Sequence, residues 1–163
     1  MAELLTASEM FYTSFEPTVQ NRFLLYIDGI PSFLCKKCSK PSVQQSAKPI
    51  DYINLRYFYK GKSIWQPITI DLYAPVVPSG AQAVMEWERL HHESATGRDG
   101  YQDFYKKDLI LDTLGPVGDK VDEWLLKGCF ITDAKFGEMD WSNEGDAVLI
   151  SLTVQPDYCI LQY

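Results

Sequence analysis

Four oxygen-bearing side chains alternate along one short acidic stretch, with the spacing of the first half of a calcium-binding loop. They are Asp140, Ser142, Glu144 and Asp146. A helix–loop–helix calcium site needs a bidentate Glu at its twelfth position, but the twelfth residue here is Ser151. The flanking residues also alternate with the period of strands, not of helices. We therefore predict the tip of a β-hairpin and no metal site, with Asn143 and Gly145 in left-handed conformations.

The four cysteines include a Cys-Lys-Lys-Cys pair, Cys35 and Cys38, which is half of a zinc site. A structural zinc needs two more ligands at comparable spacing, and Cys129 and Cys159 are single and distant. A redox pair would open a helix, whereas this one follows a predicted strand. We expect free thiols in a chain made in a reducing cytosol. The alternative is disulfide formation after release, with Cys159 and the pair cross-linking neighbouring subunits.

Acid–base chemistry has few candidates in this sequence. His91 and His92 are the only histidines, and adjacent helical residues point about 100° apart, so they do not form one site. The motifs of serine hydrolases, phosphate-binding loops and zinc proteases do not occur. We predict a protein that is not an enzyme and binds no cofactor and no metal.

The composition is that of one folded domain. The chain has 163 residues, 46% of them hydrophobic and 13% aromatic, which favours β structure. Its net charge of −7 argues against a nucleic-acid-binding protein, which needs a basic face. The sequence has no apolar run long enough to span a membrane, and its start lacks the basic region of a signal peptide. We expect no membrane association.

Hydrophobic periodicity divides the chain into an arm and a β domain. Residues 1–20 lack periodicity and are predicted to be an N-terminal arm, and residues 21–163 a single β domain. Alternation predicts a hairpin over 21–38, followed by a turn-rich segment over 39–49. The most β-like part predicts a long hairpin over 48–75. Its turn is placed at residues 60–62, and large side chains lie on both of its faces.

The second half of the chain predicts one helix and several strands. Ser79 as N-cap and the apolar positions Val84 and Trp87 predict a helix over 79–93. Further strands are predicted over 108–116 and over 145–163, and the segment 120–141 is either one long strand or two in sequence, broken at Gly128. The sum is a mainly β protein, an antiparallel sandwich or barrel with one flanking α-helix.

Several segments of this sequence resemble the tube proteins of contractile bacteriophage tails, the T-even-like tail tube family, over about residues 20–163. The opening strands are "NRFLLYIDGIPSFLCKKCSKPS", the long hairpin is "RYFYKGKSIWQPITIDLYAP" and the helix with its Trp is "AQAVMEWERL". The closing strands are the most specific match: "YKKDLILDTL" and "GCFITDAKFGEMDWSNEGDAVLISLTVQPDY".

The resemblance implies a structural virion protein. Subunits of this family form six-membered rings in which neighbouring sheets join into one continuous β-barrel, and the rings stack into a tube. The implied partners are other copies of the chain, the tail sheath protein, the baseplate hub, the tape-measure protein, the tail terminator, and DNA that passes through the lumen without specific binding. The implied location is the phage tail, assembled in the host cytoplasm.

The resemblance also suggests roles for particular residues. Polar side chains on the predicted long hairpin are candidates for lining the lumen: Asn54, Arg56, Thr69 and Asp71. The arm (1–20) and the segment 39–49 are candidates for contacts between rings. The related tubes of type VI secretion systems and contractile bacteriocins are one alternative. A monomeric ligand-binding β-barrel is an alternative of another class.

Overall fold

The computed structural model describes residues 6, 11–12 and 14–162. The strands in this part of the chain are β1 (Phe23–Tyr26), β2 (Cys35–Cys38), β3 (Val43–Tyr52), β4 (Leu55–Trp65), β5 (Ile68–Tyr73), β6 (His92–Glu93), β7 (Arg98–Asp99), β8 (Lys107–Leu114), β9 (Lys120–Lys135), β10 (Leu149–Gln155) and β11 (Tyr158–Gln162). The helices are α1 (Gly80–His91) and α2 (Gln102–Tyr105), with a 3-10 turn at Ser32–Leu34. The predicted mainly β class is confirmed.

One antiparallel sheet of seven strands forms the body of the molecule, in the order β1-β8-β9-β10-β5-β2, with β11 also paired to β9. Alternating apolar residues of these strands turn inward, as the sequence predicts for β5 and β10. They meet in a single core with α1. The buried side chains of this core include Leu25, Ile68, Ile70, Leu72, Val84, Trp87, Leu109, Leu111, Leu126, Ile131, Ile150, Leu152 and Val154.

The sheet bends where β9 and the consecutive strands β10 and β11 change direction together. β11 and then β10 pair along one side of β9, with Asp157 donating its backbone N–H to the carbonyl of Lys127 at 3.0 Å between them. Opposite this point Gly128 has φ +63, and Pro156 interrupts the ladder because it has no N–H. Of the two alternatives for this segment, the single long strand is therefore correct, and β9 continues through Gly128 with a bend.

The first two strands do not form the predicted hairpin over 21–38. β1 pairs with β8, and β2 pairs with β5, so the chain crosses between the two ends of the sheet through the turn at Ser32–Leu34. Both strands are short and carry the same alternation, which does not identify a partner. These two ends lie near each other but share no ladder, so the described residues form no closed barrel.

The long hairpin lies earlier in the chain than the predicted 48–75. It consists of β3 and β4, with Val43 opposite Trp65, and its turn is at residues 53–54. The glycine at the predicted turn, Gly61, lies instead at a bulge, where a Cβ would fall 2.9 Å from the backbone oxygen of Ser46. That close approach is the physical reason for a glycine inside a strand. The second strand of the predicted hairpin is instead β5, which belongs to the main sheet.

The segment 39–49 is mostly strand and not the predicted turn-rich connection. Residues 43–49 belong to β3 and pair with β4 along its whole length. Their Gln, Ser, Lys and Pro content has low strand propensity, but cross-strand pairing with the aromatic β4 stabilises the conformation. Pro49 is tolerated because β3 is an edge strand.

Helix α1 covers one side of the core and is two residues shorter at its end than the predicted 79–93. Trp87 is 2% exposed and donates its indole N–H to the carbonyl of Tyr105 at 2.8 Å. The ammonium of Lys107 lies 5.3 Å from the centre of the same ring. Ser79 precedes the helix without a side-chain capping bond.

The acidic stretch connects β9 to β10 as part of an exposed loop over 136–148. Asp140 accepts hydrogen bonds from the backbone and the hydroxyl of Ser142, and Asn143 accepts from the backbone N–H groups of Gly145 and Asp146. These bonds use the acidic residues locally, as in a turn. Gly145 has the predicted positive φ, whereas Asn143 does not.

The bend at Gly128 generates a stability prediction. A Cβ at this position would lie 2.2 Å from a carboxylate oxygen of Asp157, and a left-handed conformation costs a non-glycine residue about 1–2 kcal/mol. We expect Gly128→Ala to lower the free energy of unfolding by about 3 kcal/mol, measured by urea denaturation.

Gly118→Ala is the matched control for this substitution. Gly118 also has positive φ but no atom within 4 Å of a built Cβ. It should therefore lose only about 1 kcal/mol. Equal losses for the two variants would show that the contact with Asp157 does not constrain the bend.

Candidate functional site

The residues that suggested chemistry in the sequence are dispersed in the structure. No group of three or more His, Cys, Asp or Glu side chains is placed to hold a metal in the described part of the chain. His91 packs against the rings of Tyr105 and Phe130, whereas His92 is hydrogen-bonded to Asp99 at 2.7 Å on the surface. The two histidines occupy separate environments, as their adjacency predicts.

All four cysteines are free thiols. Cys129 and Cys159 belong to the core, and Cys35 and Cys38 are half-buried on β2. Burial raises the pKa of Cys38 and of Cys129 to about 12, and the pKa of Cys35 and of Cys159 to about 11. Each sulfur is therefore protonated at neutral pH, which is a poor state for metal binding or disulfide exchange. A cross-link through Cys159 would require β11 to leave the core.

The β3–β4 hairpin exposes many large apolar side chains. Its strands of 10 and 11 residues extend about 33 Å, and they have no ladder to the main sheet. Cross-strand pairing places the large side chains Ile50, Tyr52, Leu55, Tyr57 and Tyr59 on one face. All five are more than half exposed. A contiguous apolar surface of this kind marks an interaction site.

The outer face of β5, β10 and β9 is polar. Opposite the core, this face carries Thr69, Asp71, Ser151, Thr153, Asp133 and Lys135 in neighbouring register. Ser151 donates to the carboxylate of Asp71 at 2.7 Å, and Ser39 donates to the carbonyl of Thr69. Most of these side chains are short, and those of Asp71 and Ser151 are hydrogen-bonded to each other. The face is therefore hydrophilic without presenting a specific ligand site.

The four lumen candidates fall in two separate places. Thr69 and Asp71 lie on the polar outer face of β5. Asn54 lies in the exposed turn of the hairpin, and Arg56 forms an ion pair with Asp51 at 2.6 Å on the face opposite Tyr57. The predicted long hairpin would have kept all four on one face, but β4 and β5 belong to different sheets.

A cleft lies at the open seam of the sheet, where β1 and β2 face each other without a ladder. We call it the seam cleft. It has a volume of about 680 Å³ and is lined by Thr18, Val19, Gln20, Asn21, Arg22, Phe23, Lys36, Lys37, Cys38, Lys40, Leu111 and Thr113. Four of these residues are cationic and none is acidic. This site has no signature in the sequence, because Arg22 is separated along the chain from Lys36, Lys37 and Lys40 and joins them only when β1 and β2 lie side by side.

No protein-family model matches the sequence, and no curated protein matches it. The fold, however, has solved relatives. The chain is similar to a chain in the cryo-EM structure of the anti-feeding prophage cap, the AFP tube terminating cap, with 14% identity, a TM-score of 0.74, and coverage of 96% of this chain and 99% of that one.

Two further structures show the same likeness. One is the sheath/tube terminator of PVC, an extracellular contractile injection system in its extended state, with 18% identity, a TM-score of 0.70, and coverage of 93% and 100% of the two chains. The other is the anti-feeding prophage baseplate, with 11% identity, a TM-score of 0.69, and coverage of 91% and 97%. At these identities the likeness shows the fold, which is that of contractile-tail tube and cap components. The recognition made from the sequence is thus confirmed for the fold.

None of the helices in the described residues is long and apolar enough to cross a membrane.

The raised thiol pKa values generate a labelling prediction. Alkylation requires the thiolate, so at pH 8 we expect each native cysteine to react at least tenfold more slowly than in the urea-unfolded chain. Because a pKa of 11–12 leaves the thiol protonated below that range, the native rate should rise about tenfold per pH unit up to about pH 11. Site-resolved mass spectrometry with iodoacetamide measures both rates.

The unfolded chain is the internal control for intrinsic reactivity. Rapid labelling of Cys129 at pH 8, or a disulfide-linked dimer on non-reducing electrophoresis, would contradict the prediction. Either result would give the thiols a role in cross-linking.

Proposed function

We propose that this chain is a structural subunit that assembles with copies of itself into the tube of a contractile particle. The observation that carries the proposal is the match of fold over nearly the whole length of both chains with components of such particles. The proposal includes the six-membered ring and the stacking of rings that the resemblance implies. Two surfaces of the subunit support it, the hairpin and the polar sheet face.

The β3–β4 hairpin has the properties of an inter-subunit contact. Its aromatic face is exposed in the single chain, and burial of apolar area is favourable by about 25 cal/mol per Å². At its tip, Ile53 is 85% exposed and has φ +54, an unusual conformation for a β-branched residue. Such strain persists where the surroundings or the function require it. We propose that the hairpin packs on a neighbouring ring, together with the arm.

The polar outer face of β5, β10 and β9 is proposed to line the lumen. Thr69 and Asp71 are its representatives among the predicted lumen residues, and Asn54 and Arg56 are proposed to lie nearer the contact between subunits. A lumen must let cargo slide without holding it. Mostly short polar side chains, with Ser151 hydrogen-bonded to Asp71, and a net charge of −7 suit that requirement for DNA, whose phosphates bind basic surfaces.

The remaining partners follow from the place of a tube in such a particle. A contractile sheath would surround the tube, and a tape-measure protein would lie inside it. Tube assembly would begin on a baseplate hub, and a tail terminator would bind the other end. The particle is proposed to be a phage tail that conducts DNA. The second candidate is an extracellular injection particle, which the anti-feeding prophage and PVC structures favour. Identifying the molecule inside purified particles distinguishes the two.

A ligand-binding barrel and an enzyme are less well supported. A binding barrel needs an apolar cavity inside the sheet, but the interior here is filled by side chains such as Ile70, Leu126 and Val154, each fully buried. The solved structures that share the fold are components of injection machines. We propose a structural role without catalysis.

The hairpin proposal predicts a loss of assembly on charge insertion. We expect the purified chain to form rings or tubes that negative-stain electron microscopy detects. Leu55→Lys and Tyr57→Lys place ammonium groups on the aromatic face and should weaken self-association at least tenfold, about 1.4 kcal/mol, by sedimentation velocity. The thermal midpoint should change little because Leu55 and Tyr57 are more than half exposed and neither belongs to the buried core.

Val117→Lys is the matched control, since Val117 is 89% exposed in a turn outside the hairpin. It should assemble like the unchanged protein. If the hairpin variants assemble equally well, the hairpin is not the contact between rings.

The lumen proposal predicts a size-dependent labelling pattern. In assembled tubes, Thr69→Cys should react with a small maleimide but not with a maleimide carried on a large polymer, because only small reagents diffuse along a narrow lumen. Asn54→Cys should be protected from both reagents if the hairpin is buried between rings. Reaction of Thr69→Cys with the large reagent would place that face on the outside of the tube. Disassembled subunits, in which both sites are exposed, are the control.

A further inference from the structure

We infer that the seam cleft is the docking site for the N-terminal arm of a second copy of this chain. The inference rests on the proposed self-assembly and names one of its contacts. It starts from the open backbone edges of the cleft. Among the described residues, β1 has β8 as its only ladder partner and β2 has only β5, so within that part of the chain the edges that face the cleft have no partner strand. Such edges accept an added strand.

The charge of the cleft is opposite to the charge of the arm. Arg22, Lys36 and Lys37 line the cleft and have no carboxylate partner among the described residues, while Lys40 is paired with Asp122 at 3.3 Å. In a chain of net charge −7 this is a concentration of positive charge. Residues 1–17, by contrast, contain three Glu and no Lys or Arg.

A buried polar group in the cleft also lacks a partner. Thr113 is 4% exposed, and its hydroxyl makes no hydrogen bond. A buried hydroxyl without a partner costs about 1–3 kcal/mol. An extended segment lying beside Phe23 on β1 would bring backbone groups within reach of this hydroxyl.

The described residues of the arm do not fill the cleft of their own chain. Residues 18–22 form the rim, and the described residues that precede them are exposed, including Phe11, Tyr12 and Phe15 at more than 70%. One subunit thus presents both the open strand edges of the seam cleft and, in the described part of its arm, exposed aromatic side chains. Docking the arm of one copy into the cleft of the next is a head-to-tail contact, which propagates as a ring or a filament.

A synthetic peptide of residues 1–17 tests the inference directly. Labelled with a fluorophore, it should bind the full-length chain by anisotropy, with an affinity that falls as salt is added because the contact is partly ionic. Lys36→Glu combined with Lys37→Glu should weaken binding at least tenfold. A peptide with Glu9→Lys and Glu16→Lys should recover binding to that charge-reversed chain and lose it to the unchanged one.

The matched control is Arg89→Glu combined with Arg98→Glu, which makes the same change of net charge at exposed residues outside the cleft. It should bind the original peptide normally. Equal weakening in both double variants, or no binding to the unchanged chain, overturns the inference. A competition experiment gives a further test. If a single-stranded oligonucleotide binds the cleft and the peptide does not displace it, the cleft is a polyanion site and the inference is overturned.

Isotope-mixed cross-linking establishes which chain supplies the arm. Subunits grown in ¹⁴N and ¹⁵N medium are mixed and treated with a carbodiimide, which joins Glu carboxylates to Lys amines with loss of water. Mixed-isotope products between Glu9 or Glu16 and Lys36 or Lys37 support docking between copies. Products of a single isotope alone would mean that the arm occupies its own cleft, contrary to the inference.

The outcomes separate this inference from the proposed function. If the chain forms tubes but does not bind the arm peptide, the proposed function stands and the inference about the arm is wrong. If the chain binds the arm peptide but never forms rings, the inference about the arm stands and the proposed tube is wrong.

Discussion

The fold depends on the bend where β9 and the β10–β11 pair turn together. Gly128 provides the left-handed residue, and two carboxylates hold the bend. Asp108 accepts the backbone N–H of Gly128 at 3.1 Å and the ammonium of Lys127 at 2.8 Å, which lowers the pKa of Asp108. Asp157 binds the ammonium of Lys106 at 2.6 Å. Without the bend, the two halves of the sheet could not enclose one core.

The same bend decides which strand edges remain open. Because β9 spans both halves, the sheet needs no ladder between β1 and β2 to enclose its core, and the seam stays unpaired. Open edges are normally an aggregation hazard that proteins cover or charge. Here the seam carries Lys36, Lys37 and Arg22, which discourages non-specific pairing yet remains available to an acidic strand. In the proposed assembly, the stability of the subunit and its contacts with other subunits would therefore come from separate parts of the molecule.

The sequence predicted the elements better than their partners. The alternation in β5 and β10 identified the core side chains correctly, and the helix around Trp87 was placed to within two residues. The hairpins over 21–38 and 48–75 were wrong because alternation reports which face is buried, not which strand lies alongside. Gly61 resembled a turn glycine, but a glycine is required there because the backbone of Ser46 passes close to it. That contact depends on strand pairing and cannot be read from the local sequence. The seam cleft likewise depends on tertiary packing and has no local signature.

The distribution of apolar residues argues for assembly independently of the structural comparisons. A monomer gains nothing from Ile50, Tyr57 and Tyr59 exposed on a projecting hairpin, and a two-stranded hairpin is only marginally stable in water by itself. The core is complete without them. Side chains that stabilise neither the subunit nor a site for a small ligand must be satisfied by another surface. In the proposed stacked assembly that surface is another subunit, so the hairpin would be fully stable only within that assembly.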